Sequence, residues 1–278
     1  PLIGMTLAAF IFNTSEFMPI GLLTSIATAF SISESQAGIM ITAYSWAVMI
    51  LSVPLMIAVS KVSFKPMLLV TLTVFAIGQI LSGIAPTFLI LIIARLIVAS
   101  AHAIFWSVAS VIAVKLVDEQ HRDFAMSMIV TGTSIAMIFG LPLGRIVGLY
   151  LGWRMTFILV GIIALALFAF QSIVFPALDK PKPFKVNQLP LLFKNKSLVS
   201  IFIVSFLFAT AYYTAYSYIE PFMSSIANLS DTWITLSLSM FGVAGILGSV
   251  LFSKFYSKNR VGFLRLMTLN IAIVLLLL

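Results

Sequence analysis

Long apolar runs separated by short basic loops dominate this sequence and leave few folds open to it. Of its 278 residues, 62% are hydrophobic and only 9% are charged, unlike the composition of soluble domains. An α-helix needs roughly 20 apolar residues to cross a bilayer. Stretches of that kind lie near 2–29, 36–59, 67–85, 88–116, 124–151, 153–177, 197–226 and 232–253, and another begins near 263. The sequence therefore predicts an all-α membrane protein.

The positive charges lie almost entirely in alternate loops. The loops after the even-numbered predicted spans hold thirteen lysines and arginines, whereas the remaining loops hold only Arg154. Since positively charged loops remain in the cytoplasm, the first span is predicted to run outward. The basic residues thus report membrane topology, and we predict no nucleic-acid partner. The thirteen are Lys61, Lys65, Lys115, Arg122, Lys180, Lys182, Lys185, Lys194, Lys196, Lys254, Lys258, Arg260 and Arg265.

The longest loop divides the chain into two parts. Residues 178–196 are rich in Pro and Lys, and we interpret them as a cytoplasmic linker between a six-helix N-terminal bundle (1–177) and a partial C-terminal bundle (197–278). Ser-Lys pairs follow both the second and the eighth predicted span, which suggests a parallel repeat. Two parallel six-helix repeats are typical of major facilitator transporters. We expect a fragment of about eight and a half spans, with about three more in a full chain.

Glu16 lies midway along the first predicted span, where a charge costs roughly 3 kcal/mol on insertion scales. Such a residue is a functional-site hypothesis by default, and lipid favours its protonated form. Pro19 frees the carbonyl of Ser15, so we expect a kink beside Glu16, and Asn13 shares the face of Glu16. The alternative is a structural carboxylate that is permanently paired with a cation.

The fourth predicted span offers partners for Glu16. Arg95, Ala99, His102 and Trp106 follow helical spacing and form one stripe. His102 and Glu16 are expected at similar depth, with Arg95 roughly 10 Å nearer the outside at 1.5 Å per residue. Histidine titrates near physiological pH, so the pair suits proton exchange. A hydrogen-bonded interior histidine is the competing interpretation.

Aromatic and polar residues cluster in the second and seventh predicted spans. Rings can stack on the C–H face of a sugar while hydroxyls bond its OH groups. We therefore predict that Asn13, Glu16, His102 and Trp106 bind substrate together with four tyrosines, although aromatic residues at span ends are also common interface anchors. The tyrosines are Tyr44, Tyr212, Tyr213 and Tyr216.

Small residues recur every fourth position in the fifth predicted span. This glycine ridge consists of Gly132, Ala136, Gly140, Gly144, Gly148 and Gly152, and it allows two helix backbones to approach closely. Pro142 interrupts the helix within the ridge. We interpret the ridge as one side of a moving interface, and the eighth predicted span carries small residues of its own, namely Gly242, Gly245, Gly248 and Ser249. A static glycine zipper is the alternative.

Motifs of membrane enzymes and ATP-driven pumps are missing from the sequence. It contains no phosphate-binding glycine loop, no metal-ligand spacing, no nucleophile triad and no cysteine. We therefore predict a protein that is not an enzyme and that needs no cofactor and no metal.

Five strings together carry a family resemblance: FIFNTSEFMPIGLL, ITAYSWAV, ARLIVASAHAIFWS, GLPLGRIVGLYLGWRMTF and YTAYSYIEPF. They resemble the bacterial sugar efflux transporters, proton-linked major facilitators of the drug-proton antiporter subgroup. The family's antiporter motif maps onto a gating helix with Gly140, Pro142, Gly144 and Gly148. The resemblance implies that the glycine ridge of this helix faces the small residues of the eighth span across the two bundles. Its basic fourth-helix motif maps onto Arg95, with Ala99 in place of a glycine. Its loop motif after the second helix is largely lost, leaving Lys61 and Lys65.

This resemblance implies a secondary transporter in the inner (cytoplasmic) membrane of a Gram-negative bacterium. It would export arabinose, lactose and thiogalactosides by antiport with protons, with Glu16, His102 and Arg95 in proton coupling. Its partners would be the sugar, protons and the lipid bilayer, and we expect a monomer. A proton-coupled multidrug exporter and a sugar-sensing membrane protein that does not transport remain as alternatives.

Overall fold

The computed structural model describes residues 1–178, 193–255 and 259–277, and these residues are helical apart from short turns. The prediction of an all-α membrane protein is therefore confirmed. Among the described residues, seven helical segments, called spans 1 to 7 below, are long and apolar enough to cross a bilayer. They comprise Leu2–Phe30, Glu34–Val59, Phe64–Ile84, Phe88–Lys115, Glu119–Leu151, Trp153–Val174 and Lys196–Ile226.

Two further helices follow span 7 where the sequence predicted the eighth and ninth spans. Helix 8 runs from Asp231–Phe255 and helix 9 from Arg260–Leu277. Most of the predicted linker, including Lys180, Lys182 and Lys185, lies outside the described residues, so the division into two bundles stays a prediction. The loop ends with Lys61, Lys65 and Lys115 define what we call the basic side, and the other end of the spans is called the opposite side.

Span 1 is interrupted beside Glu16. The α-helix Leu2–Phe17 passes into a 3-10 turn, Met18–Leu22, and resumes as Leu23–Phe30. Pro19 lies in that turn and lacks the N–H that would bond the carbonyl of Ser15. The predicted break in the helix is therefore confirmed.

Spans 5 and 7 are also interrupted. In span 5, helix Arg122–Ile135 continues through a π-turn, Ala136–Gly140, into helix Leu141–Leu151. Pro142, two residues after the π-turn, lacks the N–H that would bond the carbonyl of Ile138 and accounts for the irregularity. In span 7, helix Lys196–Tyr216 gives way to the short segments Ile219–Pro221 and Phe222–Ile226.

The main apolar core lies among the first six spans, and its buried members all precede residue 179. Phe12 of span 1 fills its centre, with ring centroids 4.1 Å from Phe75 and 4.3 Å from Phe105. A second apolar cluster joins this part to the rest of the chain. It consists of Phe17, Ile20, Leu141, Tyr216, Met223, Ile234 and Leu238.

The glycine ridge of span 5 packs against span 1, so the expectation that it faces helix 8 is wrong. A Cβ at Gly132 would meet the carbonyl oxygen of Thr6, one at Gly140 would meet Thr14, and one at Gly148 would meet Leu22. At Gly144 the nearest atom is Met18 Cβ, 3.0 Å away. The glycine ridge thus makes a close helix contact within the first six spans.

Helix 8 does pack on span 5, as expected, but on another face. A Cβ at Gly242 would meet the backbone of Ile138, within the π-turn of span 5. Gly248 has no atom within 4 Å of its Cβ position, and nothing is described of the side-chain surroundings of Gly245 and Ser249. Gly152, the last member of the ridge, ends span 5 with a φ of 86° and also has open space around it.

Candidate functional site

A cavity of about 60 Å³ lies beside the break in span 1. Span 1 contributes Glu16, and its 3-10 turn adds Pro19 and Ile20. The polar and aromatic part of the wall comes from spans 2, 4 and 7. It consists of Tyr44, Ser45, Arg95, Tyr213 and Ser217. We call this space the central cavity. Four spans that are distant in sequence thus converge on the carboxyl group of Glu16.

Glu16 and His102 lie together, as the sequence predicted. The Oε2 atom of Glu16 is 3.7 Å from Nε2 of His102. The side chain of Glu16 retains 31% of its exposure, whereas that of His102 retains 6%. The imidazole lies behind the carboxyl, held edge-on to Tyr44 with ring centroids 5.5 Å apart. The carboxyl therefore faces the cavity, and the imidazole is a proton acceptor or donor within reach behind it.

Arg95 is buried but pairs with the backbone rather than with a carboxylate. Its Nη2 donates to the Ser15 carbonyl at 3.0 Å, the carbonyl that Pro19 leaves without a helical partner, and its Nη1 donates to Ser15 Oγ at 3.1 Å. Gln79 Nε2 donates to the same hydroxyl. The guanidinium lies 4.4 Å from the ring centroid of Tyr44. Arg95 is thus anchored to the break in span 1, directly beside Glu16.

Three polar atoms around the central cavity are buried without a hydrogen-bond partner among the described residues. They are the hydroxyl of Tyr44, Nδ1 of His102 and Nε of Arg95. Buried polar atoms in folded proteins are nearly always paired, with protein or with water. Their grouping around one cavity favours a site that receives a polar guest.

A second cavity of about 300 Å³ adjoins the first, and Ile41, Ser45, Tyr213 and Ser217 line both. The larger space adds hydroxyls from spans 2 and 7, and Trp46 adds an indole ring. The volume of the first cavity suits a few waters, whereas the second reaches the range of roughly 300–1,000 Å³ that is typical of small-molecule sites. The two spaces together could hold a small organic solute.

Other predicted site residues lie outside these walls. Asn13 Nδ2 donates to the carbonyl of Thr133 in span 5 at 3.5 Å. Trp106 packs edge-on against Phe105 behind His102. Tyr212 and Tyr216 stack on each other with centroids 5.3 Å apart. Their roles in substrate binding stay predictions, and the geometry gives them at most an indirect part.

A group of charged residues on the opposite side was not predicted from the sequence. Arg145 of span 5 forms ion pairs with Glu220 of span 7 and Asp231 of helix 8. Arg145 lies between Gly144 and Gly148 of the glycine ridge. An arginine inside an apolar span was the available signal, since intramembrane charges are rare and seek partners. Within the described part of the chain, no group of three acidic or histidine residues could hold a metal ion.

Solved structures with the same fold include a bacterial homologue of the human lysosomal transporter Spinster, in an inward-facing and unoccupied conformation. Its TM-score is 0.74 at 17% identity, with 92% of this chain and 63% of that chain covered. A peptide transporter POT in complex with sulfate has a TM-score of 0.58 at 12% identity, covering 92% of this chain and 51% of that one. A POT family transporter in complex with a thioalcohol-conjugated peptide has a TM-score of 0.55 at 15% identity, covering 91% and 52%.

The chain therefore spans about three fifths of the length of the first of these structures and about half of the others. At these identities the likeness shows the fold alone. A family model described as Major Facilitator Superfamily matches residues 5–278, which is nearly the whole sequence. This chain, a multi-pass membrane protein of transporter type, belongs to the major facilitator superfamily.

Proposed function

We propose that this chain is the larger part of a transporter that exports small sugars from the cytoplasm in exchange for protons. The observation that carries the proposal is the central cavity, in which the half-buried carboxyl of Glu16 faces a wall of hydroxyls and aromatic rings. The five sequence strings that resemble the sugar efflux family supply the substrate class. Arabinose, lactose and thiogalactosides are the substrates to test.

The wall chemistry supports a neutral polyhydroxylated solute. Tyr44 and Tyr213 offer ring faces, while Ser45 and Ser217 offer hydroxyl groups that can both donate and accept. The unpaired hydroxyl of Tyr44 and the unpaired Nε of Arg95 are further donors. This set of hydrogen-bond donors and acceptors favours binding of a sugar that has many hydroxyls, because each buried polar group left without a hydrogen bond lowers the affinity.

The placement of Glu16 supports coupling to protons. An ionised carboxyl accepts hydrogen bonds from sugar hydroxyls, whereas a protonated one has less acceptor capacity. Proton binding at Glu16 would therefore weaken sugar binding. An antiporter requires this competition, because it must bind the proton and the sugar alternately. His102, 3.7 Å behind it, is the group that can pass the proton onward. One proton driven by 100 mV supplies roughly 2.3 kcal/mol, enough for about a fifty-fold gradient of a neutral solute.

We further propose that the basic side faces the cytoplasm, as the loop charges predict, in the inner membrane of a Gram-negative bacterium. The likeness to an inward-facing solved structure supports an inward-facing state for this chain too. In that state the central cavity would be closed toward the opposite side and would receive sugar from the cytoplasm.

The test is efflux of labelled isopropyl thiogalactoside and arabinose from energised vesicles that contain the protein, with and without an uncoupler. We expect efflux that stops when the proton gradient is collapsed. Efflux of lipophilic cations instead of sugars would replace the proposal with a multidrug exporter. Sugar binding without any efflux would indicate a sensing protein. Sugar efflux that the uncoupler leaves unchanged would remove the proton from the mechanism.

A further inference from the structure

The charged cluster on the opposite side joins the first six spans to the segments that follow. Arg145 of span 5 lies at its centre with 3% side-chain exposure. Its Nη1 is 2.7 Å from Oε1 of Glu220 in span 7, which is equally buried. Its Nη2 is 2.8 Å from Oδ1 of Asp231 at the start of helix 8, a carboxylate that keeps 66% exposure. One guanidinium therefore bridges two carboxylates from separate helices.

The broken segment of span 1 completes the cluster. The Gly21 carbonyl, in the 3-10 turn that contains Pro19, accepts a hydrogen bond of 2.8 Å from Arg145 Nη1. Thr24 donates to Glu220 Oε2 through its backbone N–H at 3.3 Å and through its hydroxyl at 2.9 Å. Both carboxyl oxygens of Glu220 are thus paired. The irregular turn supplies backbone groups that a regular helix would use internally.

Span 2 is attached at the rim of the same cluster. Glu34 at its first turn lies 2.9 Å from the hydroxyl of Thr24 and 3.2 Å from that of Ser225 in span 7. Thr24 and Ser224 also lie close, with their hydroxyl oxygens 3.5 Å apart. Spans 1, 2 and 5 are therefore all tied to span 7 or helix 8 at one level.

An apolar layer adjoins these ion pairs and joins the same elements. Phe17, Ile20 and Leu141 from spans 1 and 5 pack with Tyr216, Met223, Ile234 and Leu238 from span 7 and helix 8. Toward the basic side, span 7 carries apolar side chains that lie outside this layer, such as Ile201, Val204 and Phe206. The ion pairs and the apolar layer thus join the same elements on the opposite side.

We propose that Arg145, Glu220 and Asp231 form a latch that keeps the opposite side of the transporter closed. Moving span 7 and helix 8 away from spans 1 and 5 would separate Arg145 from both carboxylates. A buried cation and a buried carboxylate without partners are strongly unfavourable, so the latch stabilises the closed arrangement. The inference holds for any transported solute and does not depend on the sugar proposal.

The test is disulfide formation across the latch. The sequence contains no cysteine, so Thr24→Cys with Ser224→Cys supplies a single reporter pair between spans 1 and 7. In the membrane-embedded full chain, without added solute, we expect rapid oxidative cross-linking with a mild copper-phenanthroline oxidant. Adding Arg145→Gln or Glu220→Gln should slow cross-linking at least about tenfold, because the closed state loses a buried ion pair.

Arg154→Gln is the matched control. Arg154 lies on the same side, but it donates to the Ala85 carbonyl and stacks on Trp153, all within the first six spans. Its loss should leave the cross-linking rate unchanged. Asp231→Asn covers the case in which the two buried variants fail to insert, because this carboxylate is mostly exposed. We expect it to insert normally and to slow cross-linking by a smaller factor.

Cross-linking at the wild-type rate in every inserted latch variant would overturn the proposal. Equal slowing by Arg154→Gln would do the same, because it would show a general loosening of this side. Sugar efflux plays no part in the measurement, so its outcome is distinct from that of the proposed function.

Discussion

Two buried arginines of this protein have different hydrogen-bond and ion-pair partners. Arg145 is held by two carboxylates and the Gly21 carbonyl. Arg95 donates to the carbonyl and hydroxyl of Ser15 and forms no ion pair with a carboxylate of the described residues. Arg145, paired with two carboxylates, is suited to hold helices together, whereas Arg95, which lines the central cavity and is bonded to Ser15, suits a site that must accept and release a guest. This difference agrees with the two proposals above, in which the Arg145 cluster closes the opposite side and the central cavity beside Arg95 exchanges solute.

The largest effect is expected from Glu16→Gln in the central cavity. Glutamine imitates a protonated carboxyl permanently, so we expect coupled efflux to be abolished while some sugar binding remains. Glu119→Gln is the control, because that carboxylate forms an exposed i,i+3 pair with Arg122. Efflux in vesicles at two pH values measures the effect. Wild-type, pH-dependent efflux in the Glu16 variant would remove this residue from the mechanism.

The two arginines themselves should differ in what they contribute to stability. Arg145→Gln leaves buried Glu220 without its cation, which costs about 3–5 kcal/mol in comparable pairs. Arg95→Gln leaves the Ser15 carbonyl and hydroxyl short of donors, which costs about 1–3 kcal/mol. We expect a larger fall in the thermal unfolding midpoint for Arg145→Gln, measured on detergent-solubilised protein. A larger fall for Arg95→Gln would contradict the assignment of closure to the first cluster.

Gly144→Val tests the packing that sets the position of Arg145. A Cβ at Gly144 would lie 3.0 Å from that of Met18 in the turn of span 1, so a branched side chain should overpack the contact by about 1–3 kcal/mol. We expect less folded protein in the membrane. Gly248→Val is the matched control, since nothing lies within 4 Å of its Cβ position. Quantitative blotting of membranes compares the two, and equal amounts would argue against a close contact at Gly144.

The smallest effect concerns sugar binding. His102 lies behind Glu16 with its Nδ1 unpaired, whereas Asn13 points to Thr133 and away from the cavity wall. We expect His102→Ala to raise the dissociation constant of a thiogalactoside by about tenfold, which is roughly 1.4 kcal/mol. Asn13→Ala should change it by less than about threefold. Equilibrium dialysis measures both, and the reverse order would indicate that the solute occupies the space near span 5.

Sequence reasoning reached the central cavity because the relevant signals are local. Glu16 is a charge inside an apolar run, and Pro19 predicts which carbonyl loses its partner. The depth argument brought His102 to Glu16, and the structure bears it out with a separation of 3.7 Å. It did not identify the donor for the Ser15 carbonyl. Arg95 fills that role because its long side chain reaches down from span 4.

The sequence by itself determined the membrane class, the positions of the spans, the break at Pro19 and the shared depth of Glu16 and His102. These follow from hydropathy, helical spacing and the missing N–H of proline, which act within one helix or fix depth along the membrane. Only the tertiary structure decided that the glycine ridge packs on span 1 and that Arg145 pairs with Glu220 and Asp231. Depth along the membrane is encoded in the sequence, whereas the direction in which each helix faces its neighbours is set when all the helices pack together.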